Sequence, residues 1–283
     1  MKRLNVPVVL GMIAVLLTDT GTALAASAVN PIQALRRQFV AGRGVLVSET
    51  SRTTIKGSKQ TYIRRTTGTI GFGKSGVVGY DLTSKWKITP ELKATITDEE
   101  AEAMSTPLRA VNVGRYTYVQ GFGWGPMPEG KTWIKFGKNN ASWGEYAQRG
   151  DQLVDILSPA RLKFVISKAA SLRSGEYRGT LKTQDLYAEQ GPMNPYKHKI
   201  SFRLFISKDG FPVRLITQYE SMEYDRDPDG KPTRKPSTQV VDTRYHHWNA
   251  KVKIMAPSAS EVVDFDDVPI NQPDQGGAAQ ALR

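Results

Sequence analysis

The chain has 283 residues, 39 lysines and arginines against 27 aspartates and glutamates, a formal net charge of +12, and no cysteine. Its length accommodates one large domain or two small ones, and a chain of this size can bury a core without crosslinks. The missing cysteine excludes disulfides, a cysteine-ligated metal and a lipid-modified cysteine.

Residues 1–25 read as a signal peptide. Lys2 and Arg3 form the positive region, 6–17 the apolar run, and Ala23-Leu24-Ala25 a small-x-small cleavage pattern, so the cut is expected before Ala26. Pro7 and Gly11 interrupt the run, which is short for a bilayer span; a retained anchor is the alternative. No second apolar run of spanning length follows, and the mature protein is expected to be soluble, secreted or extracytoplasmic. Removing the leader leaves 37 basic and 26 acidic residues, a net +11. The excess is spread over Arg64-Arg65, Lys85 and Lys87, 131–138, Arg161 and Lys163, and Lys251 and Lys253. A diffuse positive field suits an anionic membrane surface or an acidic cell-wall polymer. No aromatic-basic motif of a nucleic-acid module is present, so nucleic acid is not an expected partner.

After the leader, 30–40 reads as a short helix, with Pro31 in its first turn and Ile32, Leu35 and Phe39 on one face. Gly42 is a plausible stop. Strands are predicted over 44–55, 60–72 and 77–88, linked by Gly- and Ser-containing turns as a meander. Thr97-Asp98-Glu99-Glu100 opens a second helix to about Met104, because acids at its start complement the helix dipole. A single strand follows over 110–120, then a Gly/Pro-rich loop over 121–130 carrying Phe122 and Trp124, then a strand over 132–136. Ser158-Pro159-Ala160 starts the clearest helix, predicted over 158–171. Its Leu162, Val165, Ile166 and Ala169 fall at helical spacing, so it can lie across a sheet.

A strand is predicted over 176–183, then an irregular connection through 191–195. The most legible stretch is 201–219: Phe202, Leu204 and Ile206 alternate before Lys208-Asp209-Gly210, and Val213, Leu215, Thr217 and Tyr219 alternate after it. Period-two alternation about an Asp-Gly turn specifies an antiparallel hairpin with one buried face. A polar insertion over 225–237, strands over 238–247 and 251–255, and a disordered tail over 269–283 complete the reading. About ten strands with interspersed helices make one α+β domain over 26–268, a curved antiparallel sheet with helices on one face.

Several short patterns in this order resemble a known family. They include Thr83-Ser84-Lys85, Gly130-Lys131-Thr132-Trp133-Ile134-Lys135, Ser158-Pro159-Ala160-Arg161-Leu162 and Tyr177-Arg178-Gly179-Thr180. Lys208-Asp209-Gly210-Phe211-Pro212-Val213-Arg214-Leu215, Asp242-Thr243-Arg244-Tyr245-His246-His247-Trp248 and the 254–262 stretch complete the series. Over about 30–264 the chain resembles the LolA-like superfamily, as a secreted relative of the LppX/LprG-type envelope lipoproteins of high-GC Gram-positive bacteria. The resemblance implies a half-open curved antiparallel β-barrel with helices packed on its concave face and an apolar cavity between them. It further implies carriage of lipoproteins or acylated glycolipids, or periplasmic sensing, and no catalytic motif. Many such relatives are tethered through a lipidated cysteine, which is absent here.

Other constellations have bland alternatives. Asp225, Asp227 and Asp229 imitate half a calcium loop, but its twelfth position is Pro236, and a solvated hairpin turn is the alternative. His246 and His247, as strand neighbours, are expected to point to opposite faces, and the remaining histidine is His198, so no metal site is expected. No Gly-x-Ser-x-Gly or other nucleophile motif is present, so no catalytic residue or cofactor is assigned. The sequence thus leads to an exported, non-enzymatic carrier of a lipid or acylated molecule. Leu162, Val165 and Ile166 on the helix and Leu204 and Ile206 on the sheet are the cavity-lining candidates. A cell-surface sensor or interaction module with a filled core is the competing expectation; ligand identity and oligomeric state stay open.

Overall fold

The computed structural model describes residues 29–58, 61–121, 127–137, 150–173, 175–187, 198–226 and 231–268. The leader, Phe122 and Trp124, the 191–195 connection, Asp227, Asp229 and the tail lie outside them. The chain runs α1 (Pro31–Arg37), β1 (Arg43–Ile55), β2 (Thr61–Gly73), β3 (Gly76–Lys87), α2 (Pro90–Lys93), α3 (Asp98–Ser105), β4 (Leu108–Val113), β5 (Tyr116–Gln120) and β6 (Trp133–Phe136). It continues through α4 (Pro159–Ser167), β7 (Ala169–Arg173), β8 (Glu176–Lys182), α5 (Thr183–Tyr187), β9 (Lys199–Ile206), β10 (Pro212–Arg226), β11 (Pro232–Lys251) and β12 (Val262–Asp264).

Twelve strands form one sheet in the order β12-β6-β5-β4-β3-β2-β1-β11-β10-β9-β8-β7. Two meanders, β1 to β6 and β7 to β11, therefore run outward from a central antiparallel β1–β11 pair. Every pairing is antiparallel except β12 with β6, so the sheet is mixed. The order does not close on itself: β12 and β7 are its two edges. The expected purely antiparallel sheet is corrected in this respect, because β12 returns alongside β6 in the same direction.

Local chemistry explains several element boundaries. Asn30 caps α1, its side chain accepting from the N–H groups of Ile32 and Gln33. Thr97 and Glu100 make a reciprocal capping box on α3. Gly210 closes the β9–β10 hairpin at φ 82°, where a Cβ would also meet Val29 Cγ1 at 2.8 Å.

Four expectations need correction. The strand over 110–120 is two strands, β4 and β5, because Gly114-Arg115 makes a two-residue hairpin loop with Val113 opposite Tyr116. The helix over 158–171 ends at Ser167, and Ala169 instead begins β7, because pairing with β8 outweighs helical spacing. The polar 225–237 insertion is largely strand: β10 and β11 pair as far as Arg226 opposite Pro232, where β11 begins. No strand covers 252–255, and two short helices, α2 and α5, were not foreseen.

One main apolar cluster spans the buried face of the sheet, joined by Leu35 of α1 and by Leu162 and Val165 of α4. A smaller one at the β12 edge gathers Val119, Ile134, Phe136, Val263 and Val268. Among the described residues no helix is long and apolar enough to cross a membrane.

Candidate ligand-binding site

The sequence candidates all belong to, or pack against, the main apolar cluster. Leu162 and Val165 on α4 and Leu204 on β9 are each 0% exposed within the main cluster, and Ile166 and Ile206 are half-buried against it. Around them stand Phe202, Leu215, Tyr219, Val241 and Tyr245. The sequence reading missed Val154, Ile156 and Leu157, the strap leading into α4, which are also buried there. Their signal was the apolar doublets 153–154 and 156–157 just before the helix. Leu157 and Leu162 occupy the N′ and N4 positions that a hydrophobic staple uses, and both are buried in the main cluster. Ser158 makes no side-chain cap. Asp155 accepts instead from the Leu157 N–H at 3.1 Å and from Arg161 Nη1 at 3.1 Å, tying strap to helix.

Along β1 the buried face changes character, from Val45 and Val47 to Glu49 and Ser51. The start of the strap lies over this polar band. Glu49 Oε1 accepts from the Asp151 N–H at 2.7 Å and Oε2 from the Thr243 hydroxyl at 2.8 Å. Gln152 donates to Thr243 at 3.1 Å and accepts from Thr217 at 2.9 Å, while Arg64 forks onto Asp151. Gly150 is required here, since a Cβ would sit 2.3 Å from Glu49 Oε1. Burial, reinforced by the nearby Asp151 carboxylate, raises the Glu49 pKa to about 7. The network holds the strap against β1 and β11.

At the other end, Trp248 stacks between Phe72 (6.0 Å) and Phe211 (5.5 Å), and its indole N–H donates to the Pro212 carbonyl at 3.0 Å. It faces inward because a bulge interrupts β11: Gly44 pairs with Ala250 but Leu46 with His246, and His247 and Asn249 take φ 53° and 65°. The bulge also overturns the expectation for the histidines. Their rings lie 5.1 Å apart on the same side, because the left-handed residue cancels the alternation of a regular strand. His198 is elsewhere, against Tyr219, and among the described residues no group of three metal-ligating side chains occurs.

A groove of about 450 Å³ lies beside the cluster, lined by Arg36, Phe39, Lys74, Ser75 and the first residues of α4, 158–160. None of the five sequence candidates lines it. Phe39 links it to the apolar cluster, packing on Phe72 at 5.5 Å.

No protein-family model matches the chain, and no curated protein matches it. Among solved structures, it is similar to a LolA superfamily protein from Nitrosomonas europaea, at 13% identity over 80% of this chain and 93% of that one, with a TM-score of 0.30. A domain described as an outer membrane lipoprotein-sorting protein, from Vibrio parahaemolyticus, matches at 8% identity over 78% and 93%, with a TM-score of 0.26. The MucA/MucB complex of Pseudomonas aeruginosa gives 9% identity over 80% and 99%, with a TM-score of 0.13. At TM-scores this low the likenesses assign neither a family nor a ligand to this chain.

Proposed function

We propose that the protein is an exported, non-enzymatic, LolA-like carrier, related to the LppX/LprG-type envelope proteins. It takes the apolar tail of a lipid or acylated molecule between α4 and the buried face of the sheet. One observation carries this reading: Leu162, Val165 and Ile166 from a nine-residue helix and Leu204 and Ile206 from the sheet all belong to, or pack against, a single apolar cluster. Lifting that short helix on its strap would offer a guest chain a continuous apolar surface without any rearrangement of the sheet ladder. Burying about ten methylenes gains roughly 8 kcal/mol gross at ~0.8 kcal/mol each, enough to offset displacement of a few side chains. The adjoining groove, with Arg36 and Lys74 on its rim, suits an acidic headgroup.

A second reading draws on the complete burial of Leu162, Val165 and Leu204. A core already filled in this way fits a cell-surface sensor or protein-interaction module that takes no lipid. Native mass spectrometry of the secreted protein, before and after organic extraction, separates the two. A stoichiometric adduct lost on extraction is the expected result and names the cargo. A clean apo mass that does not shift after incubation with envelope lipids would refute the carrier and leave the interaction module.

A further inference from the structure

The exposed face of the sheet pairs its arginines with care. Arg109 binds Asp81 at 2.7 Å, Arg178 and Arg203 share Glu176 at 2.8 and 2.5 Å, and Arg214 binds Asp242 at 2.7 Å with Arg244 at 3.9 Å. Four cations on β1, β2 and β3 depart from this pattern. Arg65 and Lys85 are directly opposite each other, while Ile63, two residues along the same face, stands opposite both Arg52 and Lys87. Thus four positive side chains surround one half-buried isoleucine. All four are exposed, and none forms a salt bridge with a described carboxylate. Lys87 acts on Glu91 only at a distance: that carboxyl is lowered first by its own backbone N–H, then by Thr89, and least by Lys87. Opposed cations elsewhere either share an acid, as Arg178 with Arg203 on Glu176 and Arg214 with Arg244 on Asp242, or come as single pairs at strand ends, Lys182 with Lys199 and Arg43 with Lys251.

Like charges facing each other across strands destabilise a sheet, so this cluster is not explained by folding. Protection of a sheet edge does not explain it either, because β1, β2 and β3 are interior strands. On the same face Thr50, Thr54, Thr61, Thr67 and Thr83 are short, Val240 stands opposite Arg52, and the nearest acids, Asp242 opposite Thr50 and Asp81 beyond Thr83, are already held by Arg214 and Arg109. Among these threonines the four cations are long, exposed side chains on one face.

We propose that Arg52, Arg65, Lys85 and Lys87, set around Ile63, form a docking face for an anionic lipid bilayer. The cations meet phosphate headgroups while the isoleucine reaches the interface, and the opposite face of the sheet stays available to the apolar cluster. The site is independent of whether that cluster takes a guest.

The test is flotation of the full-length chain with phosphatidylglycerol–phosphatidylcholine vesicles and with pure phosphatidylcholine vesicles. It is run on the natural chain, on R52Q/R65Q/K85Q/K87Q, and on K182Q/K199Q/K208Q/K251Q, which loses the same charge elsewhere. The apolar run at 6–17 is common to all three, so the anionic-minus-neutral difference reports the sheet face. Each basic side chain near an anionic surface contributes about five-fold in partitioning, so the first variant should lose about 600-fold and the second only a few-fold. Equal loss in both variants would reduce the effect to net charge and overturn the site. So would undiminished binding by the first variant, or binding to soluble acidic polymer with none to vesicles. Circular dichroism of each variant confirms that the fold is kept.

Discussion

Glu49 is a carboxyl held under a strap in the middle of a sheet, and its position gives stability a distinct pH dependence. With its pKa at about 7 in the fold and 4.5 as the ordinary value, the folded state retains a proton that the unfolded chain releases over that interval. Its contribution is therefore present in full below pH 4.5, declines as pH rises, and is gone above about pH 7, a change on the order of 3 kcal/mol. Glu49→Gln keeps an acceptor for the Asp151 N–H and removes the titration. Urea denaturation at pH 5 and pH 8 should show the natural chain losing stability between them through this group and the variant losing less. An unchanged pH difference would mean that Glu49 titrates normally in the fold. The residue was invisible as a site in the sequence, where it reads as one acid in a polar strand; only the strap laid over β1 removes it from water.

At the level of elements, α4 and the β9–β10 hairpin carry the candidate site. Leu162 is fully buried, so Leu162→Ala should cost about 2–5 kcal/mol in equilibrium unfolding. The carrier reading adds a second expectation: the enlarged space keeps or improves lipid uptake in native mass spectrometry while stability falls. In a filled-core module, stability alone changes. The hairpin turn gives a sharper local prediction. Gly210→Ala forces a side chain into a left-handed conformation against Val29, and should lower Tm where the same exchange at an unconstrained loop glycine would not. On the opposite face, Arg65→Gln removes a cation facing Lys85 and should slightly raise Tm, more at low salt than at high. A fall in Tm would show that Arg65 has a stabilising partner.

At the scale of the whole molecule, two meanders meet at one seam. Sequential antiparallel neighbours form cheaply, but β1 and β11 are joined across some 200 residues, as between Leu46 and His246. Their pairing has to wait for the rest of the chain, which places this protein among slow-folding, non-local topologies. The arrangement also separates two surfaces. The buried face holds the apolar cluster and its polar end, and the outer face of β1 to β3 holds four cations without a salt bridge to any described carboxylate.

Much of the ladder was legible in the sequence, because alternation of apolar and polar residues reports which strand face is buried. It located β1, β2, β3, the β9–β10 hairpin and the start of α4, and it picked out Leu162, Val165 and Leu204, which are buried. What failed were features that local pattern does not encode. Ala169 suits a helix by spacing, yet cross-strand pairing draws it into β7. His246 and His247 read as opposed until the bulge at 247–249 turns one ring back beside the other. Polar 232–237 reads as loop, yet its partner strand supplies the backbone hydrogen bonds that hold it extended. The open sheet order, the parallel β12 and the burial of Glu49 likewise belong to the tertiary structure. Each depends on contacts between segments far apart in the chain, and periodicity within one segment carries no record of them.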